Sequence, residues 1–170
     1  MPSRSPLAPM HVLVVDDNKG MREIVGAVIK SVGVGQVHHA ADGRDALEVL
    51  QREPIDCVYL DYEMPHMNGA DFISRVRGLD SSKRFTPIIV LTSFSASNKL
   101  ESARDRGANE FLKKPVTARD LLLRLEAVIE RPRPYISVPT YFGPDRRRHE
   151  RGKNYKGPFR RSTDGEVEVE

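Results

Sequence analysis

Five short apolar runs, each bounded by Asp, Gly or Pro and separated by amphipathic stretches, constrain this chain more than any other feature. They lie at residues 12–15, 37–41, 57–60, 88–91 and 111–112. Each is rich in β-branched or large apolar residues, which predicts a strand. The apolarity is continuous rather than alternating, as in parallel strands covered on both faces. Helical spacing fills the gaps. Met21, Ile24, Val25, Val28 and Ile29 share one face, and Ala46, Leu47, Val49 and Leu50 follow Asp42, a candidate N-cap with Asp45 three residues on. Phe72, Ile73 and Val76 follow Gly69, and Leu100, Ala103 and Arg104 precede Gly107, a natural helix stop. Thr117 and Asp120 have capping-box spacing ahead of Leu121, Leu122, Leu125, Val128 and Ile129. Five βα units in a row predict an α/β fold, a doubly wound five-stranded parallel sheet over residues 10–131 with helices on both faces. In such folds the working site lies at the carboxyl ends of the strands.

The 170 residues suffice for one such domain and an appendage. A single cysteine, Cys57, excludes an internally disulfide-stapled scaffold. No run approaches the roughly 18 apolar residues of a membrane span, and residues 1–9 lack the apolar stretch of a signal peptide. A soluble cytoplasmic protein with a flexible N-terminus over 1–9 is expected.

The net charge of +3 is unevenly placed. Residues 1–130 carry 17 Lys and Arg against 18 Asp and Glu, whereas residues 131–161 carry 10 against 2. The last nine residues add four carboxylates. Beyond Glu130, Pro and Gly recur and aliphatic side chains are few, which predicts an extended, largely disordered basic tail over 132–170. The tail repeats itself. Tyr141-Phe-Gly-Pro-Asp-Arg146-Arg147 and Tyr155-Lys-Gly-Pro-Phe-Arg160-Arg161 share Tyr, Gly, Pro and both Arg at identical offsets.

The polar groups at the strand ends converge. Asp16 and Asp17 follow the first strand, Asp61 the third, Thr92 and Ser93 the fourth, and Lys113, Lys114 and Pro115 the fifth. Crowded carboxylates raise one another's pKa unless a cation sits among them. A hard divalent ion such as Mg²⁺, held by few protein ligands and several waters, fits that demand. An aspartate here can attack phosphorus to form an acyl phosphate, a transfer that needs mainly positioning and charge neutralisation.

These motifs resemble the receiver domain of two-component response regulators, of the single-domain chemotaxis or phosphorelay type with a flavodoxin-like fold. The match runs through Val14-Val-Asp-Asp17, Leu60-Asp-Tyr-Glu-Met-Pro-His-Met-Asn-Gly69, Val90-Leu-Thr-Ser93 and Lys113-Lys-Pro115. The resemblance implies that Asp61 is the phospho-acceptor and that Asp16, Asp17, Asp61 and the backbone carbonyl of Glu63 hold Mg²⁺. It implies that Thr92 is the hydroxyl that moves toward the phosphoryl group and Lys114 its ion-pair partner. Phe111 is then the aromatic that swings inward on activation. The resemblance also implies that Glu63 and Phe94 occupy positions that flank the path of an attacking water. Cys57 is expected only to pack. His11, His38, His39, His66 and His149 show no metal-ligand spacing and receive no role.

The function that follows is a stand-alone response regulator. It accepts a phosphoryl group from a histidine kinase or phosphotransfer protein and then changes its affinity for a protein partner, as a monomer or a phosphorylation-dependent dimer. The tail lacks the pattern of a DNA-reading helix-turn-helix. Two alternatives stand beside it. Haloacid-dehalogenase-type phosphatases also combine an aspartyl nucleophile, Mg²⁺, Ser or Thr, and Lys, but need a second Asp where this chain has Glu63. A basic tail with interleaved Tyr and Phe also suits single-stranded nucleic acid or an anionic membrane. The duplicated Arg pairs favour docking to a protein partner.

Overall fold

The computed structural model describes residues 6–93 and 97–146. Strands β1 (His11–Val15), β2 (Gln36–Ala40), β3 (Cys57–Asp61), β4 (Ile88–Thr92) and β5 (Glu110–Lys113) form one parallel sheet in the order β2-β1-β3-β4-β5. Helices α1 (Lys19–Ser31), α2 (Gly43–Arg52), α3 (Gly69–Arg77), α4 (Ser97–Arg106) and α5 (Ala118–Glu130) alternate with the strands. The expected doubly wound α/β fold is the one observed. The chain leaves β1 toward β2 on one side and returns to β3 on the other. The strand order therefore reverses at β1, and a crevice opens there at the carboxyl ends.

Side-chain alternation along each strand divides the core into two layers. Leu13, Val15, Val58, Leu60, Ile88 and Val90 face the layer under α2, α3 and α4, with Leu50, Phe72 and Ile73. Val12, Val14, Tyr59, Ile89 and Leu91 face α1 and α5, against Val25, Ile29, Leu121 and Leu125. Every residue of β3 and β4 is buried, which is why these runs lack polar alternation. The helix starts follow the sequence closely. Asp42 accepts from the N–H groups of Arg44 and Asp45, and Thr117 and Asp120 form the reciprocal capping box. Cys57 is fully buried in β3, and burial pushes its thiol pKa up. Among the described residues no helix is long and apolar enough to cross a membrane.

Two expectations about the chain ends need correction. Residues 6–9 are not a free terminus: they form a turn in which the Leu7 carbonyl accepts from Met10 and Gly35, and Leu7 packs on the α1–α5 layer. Residues 135–144 are not an extended tail. Strands β6 (Tyr135–Val138) and β7 (Tyr141–Pro144) pair as an antiparallel hairpin packed near α4 at the amino-terminal end of the sheet. The apolar surface that holds them is aromatic rather than aliphatic. Phe85, Tyr135 and Phe142 pack with ring centroids 5.2–5.7 Å apart, and the Arg84 guanidinium lies 3.5 Å from the centre of Phe142.

Beneath the hairpin, Arg77 of α3 is only 4% exposed. It donates to the carbonyls of Gly107, Arg84 and Thr86 and to Asn109 Oδ1, all within 2.9 Å, with Tyr135 over its guanidinium. Tyr135 Oη donates to the Phe85 carbonyl at 2.8 Å.

Gly143 packs directly on Gly107, whose φ of +104° favours glycine. A Cβ at position 143 would lie 2.9 Å from the Gly107 Cα and 2.6 Å from Tyr141 Oη. Gly143→Ala is therefore expected to displace the hairpin and lower stability by about 1–3 kcal/mol in urea denaturation. An unchanged midpoint would remove this contact from the account.

Candidate functional site

The sheet brings the predicted polar residues to one edge. Asp16 and Asp17 follow β1, Asp61 ends β3, Thr92 ends β4 and Lys114 follows β5. A carboxylate oxygen from each of Asp16, Asp17 and Asp61 lies within 4.8 Å of the other two. Asp16 is 1% exposed and Asp61 6%, whereas Asp17 faces solvent. Lys114 Nζ sits 3.1 Å from Asp16 Oδ2 and 3.2 Å from Asp61 Oδ1. The peptide bond from Lys114 to Pro115 is cis.

Local hydrogen bonds fix this arrangement. Asp16 Oδ1 accepts the Asn18 N–H at 2.9 Å, while Asn18 caps α1 by accepting from Met21. Arg22, one turn into α1, donates to the Asp16 carbonyl at 2.6 Å. The Glu63 N–H points at Asp61 Oδ1 from 3.4 Å. The Glu63 carboxylate reaches sideways to Lys99 Nζ at 2.7 Å, and Ser93 Oγ stands 3.4 Å from its other oxygen. Lys99 thus ties α4 to the β3–α3 loop beside the acceptor. Sequence reasoning missed it, because a lysine on a polar helix carries no mark of the loop it meets.

Burial raises the Asp61 pKa, the Lys114 ammonium beside it pulls it down, and Asp16 raises it again; the net direction is upward. For Lys114, burial acts to lower the pKa, but Asp61 and Asp16 outweigh it and the ammonium form is favoured. One ammonium therefore serves two crowded carboxylates. The all-oxygen donor set and its surplus negative charge fit a hard divalent cation.

Thr92 and Phe111 lie on the strands beside the crevice, and the tail residues fall elsewhere. Thr92 is buried at the end of β4, with its backbone paired to Lys113. Phe111 is half-buried on β5, against the α2–α4 layer. Tyr141 and Arg146 lie in and just beyond the hairpin, at the opposite end of the sheet from Asp61. They are engaged within the chain: Arg146 bonds Asp105 at 2.5 Å and lies over the Tyr141 ring, whose hydroxyl donates to the Pro144 carbonyl. The first repeat copy, expected as a docking peptide, is thus bound to its own domain through Arg146. Phe94, Arg147, Tyr155, Arg160 and Arg161 lie outside the described residues.

The chain that builds this acidic crevice on a β2-β1-β3-β4-β5 sheet matches the model of the response regulator receiver domain across residues 12–126. The chain belongs to the response regulator receiver domain family. Receiver domains are signalling modules of two-component systems. This one is 35% identical over 123 residues to the transcriptional regulatory protein PdtaR of Mycobacterium tuberculosis, an alignment covering 72% of this chain and 58% of PdtaR. The receiver chain therefore spans less than two thirds of that relative's length. It is similar to the chemotaxis protein CheY4 of Vibrio cholerae, with 36% identity and a TM-score of 0.67 over 72% of this chain and all of CheY4. It also resembles the receiver domain of the sensor histidine kinase PA1611 of Pseudomonas aeruginosa, with 28% identity and a TM-score of 0.64. That match covers 70% of this chain and 96% of the PA1611 domain, whose structure carries a magnesium ion coordinated in the active site cleft.

Proposed function

We propose that this receiver accepts a phosphoryl group on Asp61 from a histidine kinase or phosphotransfer protein and thereby changes its affinity for a protein partner. The observation that carries this reading is the Lys114 ammonium held between Asp16 and Asp61 at the edge of the sheet. Asp61 supplies the nucleophilic oxygen. The phosphorus–donor bond breaks as the phosphorus–oxygen bond forms, and the donor takes the electron pair. Lys114 stays protonated and stabilises the charge that gathers on the equatorial oxygens. Asp16, Asp17, Asp61 and the Glu63 carbonyl are the residues that would hold Mg²⁺, which supplies charge neutralisation when bound. The magnesium in the PA1611 domain supports this assignment.

After transfer, Lys114 loses the free Asp61 carboxylate and meets the phosphoryl group instead. Thr92, at the end of the neighbouring strand, is the hydroxyl we assign to that group. Its movement frees space for Phe111 on the adjacent strand, so the β4–α4 and β5 region has two arrangements biased by phosphorylation. In this scheme Glu63, Ser93 and Lys99 border the path of a hydrolysing water.

Thr92→Ala and Lys114→Ala should each reduce the response of Phe111 to beryllofluoride, a phosphoryl mimic, by more than they reduce acetyl-phosphate labelling. Nuclear magnetic resonance of the Phe111 region measures the first and phosphoryl quantitation the second. An undiminished Phe111 response in both variants would take these residues out of the switch.

A further inference from the structure

The amino-terminal edge of the sheet gathers a second set of ligand-bearing side chains, at the end opposite Asp61. His11 begins β1, His38 lies in the middle of β2, and Glu53 caps the carboxyl end of α2. His11 Nδ1 lies 3.0 Å from His38 Nε2 across two paired strands. One nitrogen from each ring and one Glu53 carboxylate oxygen lie within 4.8 Å of one another. No spacing in the sequence announces them, because the first and last stand 42 positions apart with the β1–α1–β2 crossover and α2 between them.

We propose that His11, His38 and Glu53 form a binding site for a divalent transition-metal ion of the zinc class. The donor set decides the class: two imidazole nitrogens and one carboxylate suit Zn²⁺, Co²⁺ or Ni²⁺, whereas Mg²⁺ seeks oxygen alone. The two ends of the sheet are thus chemically distinct sites.

Geometry supports the assignment. Tetrahedral zinc with nitrogen bonds near 2.0–2.1 Å places two nitrogens about 3.3 Å apart, close to the present separation. The rings now stack at 21° with centroids 5.2 Å apart, so binding requires both to move apart and turn their nitrogens toward one point. The Glu53 side chain is about a third exposed and paired with Arg52 at 3.3 Å, so it has room to swing inward. All three residues are partly buried, which leaves the remaining coordination position to water.

An ion at this point would fasten β1, β2 and the end of α2 together, raising the midpoint of thermal unfolding as its concentration rises.

The test uses the full chain, stripped of metal and kept in excess Mg²⁺ to occupy the acidic crevice. Calorimetric titration with Zn²⁺ should give one site, and Co²⁺ should show the visible absorption of a low-coordinate nitrogen-bearing complex. His11→Gln, His38→Gln and Glu53→Gln should each weaken Zn²⁺ binding by at least about tenfold, as loss of a direct ligand exceeds the cost of losing its supporting partner. His39→Gln and His66→Gln should leave it unchanged. Melting of the metal-free variants checks that they fold. Should any fail to fold, ¹⁵N spectra of the wild-type imidazoles provide the reading: Zn²⁺ must shift both His11 and His38. Absence of Zn²⁺ binding, wild-type affinity in folded His11→Gln and His38→Gln, or rings that ignore Zn²⁺ would each overturn the proposal.

Discussion

Asp61→Asn is expected to abolish acyl-phosphate formation and at the same time to raise the thermal midpoint of the metal-free protein at neutral pH. The first effect follows because the amide keeps the shape of the carboxylate but has no nucleophilic oxyanion. The second follows from linkage. Burial, with Asp16 beside it, raises the Asp61 pKa despite Lys114, so folding favours the protonated acid. A group whose folded pKa lies above its unfolded value contributes stability that is fully present below the unfolded pKa. That stability is lost as pH rises through the folded pKa. Asparagine cannot ionise and escapes the loss. The two proteins should therefore melt alike in acid, and the variant later above the folded pKa. Excess Mg²⁺ should narrow the gap by stabilising the wild-type carboxylates. A variant that melts earlier at neutral pH and still accepts phosphate would contradict both arguments.

Arg77→Met is expected to cost at least about 3 kcal/mol, since a stranded buried acceptor costs roughly 1–3 kcal/mol and several lose their donor at once. The methionine fills similar volume but leaves the carbonyls of Gly107, Arg84 and Thr86, and Asn109 Oδ1, without the donor that now serves them. Tyr135 loses the cation over its ring. Arg77→Lys should recover only a small part, because an ammonium cannot reach four acceptors in the plane of a guanidinium fork. Urea denaturation measures the loss, and tyrosine fluorescence reports whether the hairpin leaves first. A change below about 1 kcal/mol in both variants would show that the guanidinium does not organise this end of the sheet.

The parts of the fold legible in the sequence are those whose information is local. Asp42, Thr117 and Asp120 start helices through bonds to backbone groups within three residues. Strands β1, β3 and β4 are buried on both faces and so read as unbroken apolar runs. The acidic crevice was legible because a doubly wound sheet sends every strand end to one edge, which places Asp16, Asp61, Thr92 and Lys114 together once the strands are found.

The hairpin was not legible. Its anchors are aromatic rings and arginines, which a count of aliphatic side chains passes over. Arg77 looks like a solvated charge in the last turn of α3 until the hairpin covers it. The cluster of His11, His38 and Glu53 was hidden for another reason. It depends on the side-by-side pairing of β1 and β2, and no residue in it has a ligand partner nearby in the chain.

The most direct test is to locate the phosphoryl group. The full chain is treated with acetyl phosphate in the presence of Mg²⁺, digested at acid pH and mapped by mass spectrometry. The account predicts one group, on Asp61, labile to hydroxylamine and lost when the metal is chelated before the reaction. A group on a serine or threonine with Asp61 unmodified, or equal labelling of the Asp61→Asn variant, would contradict it.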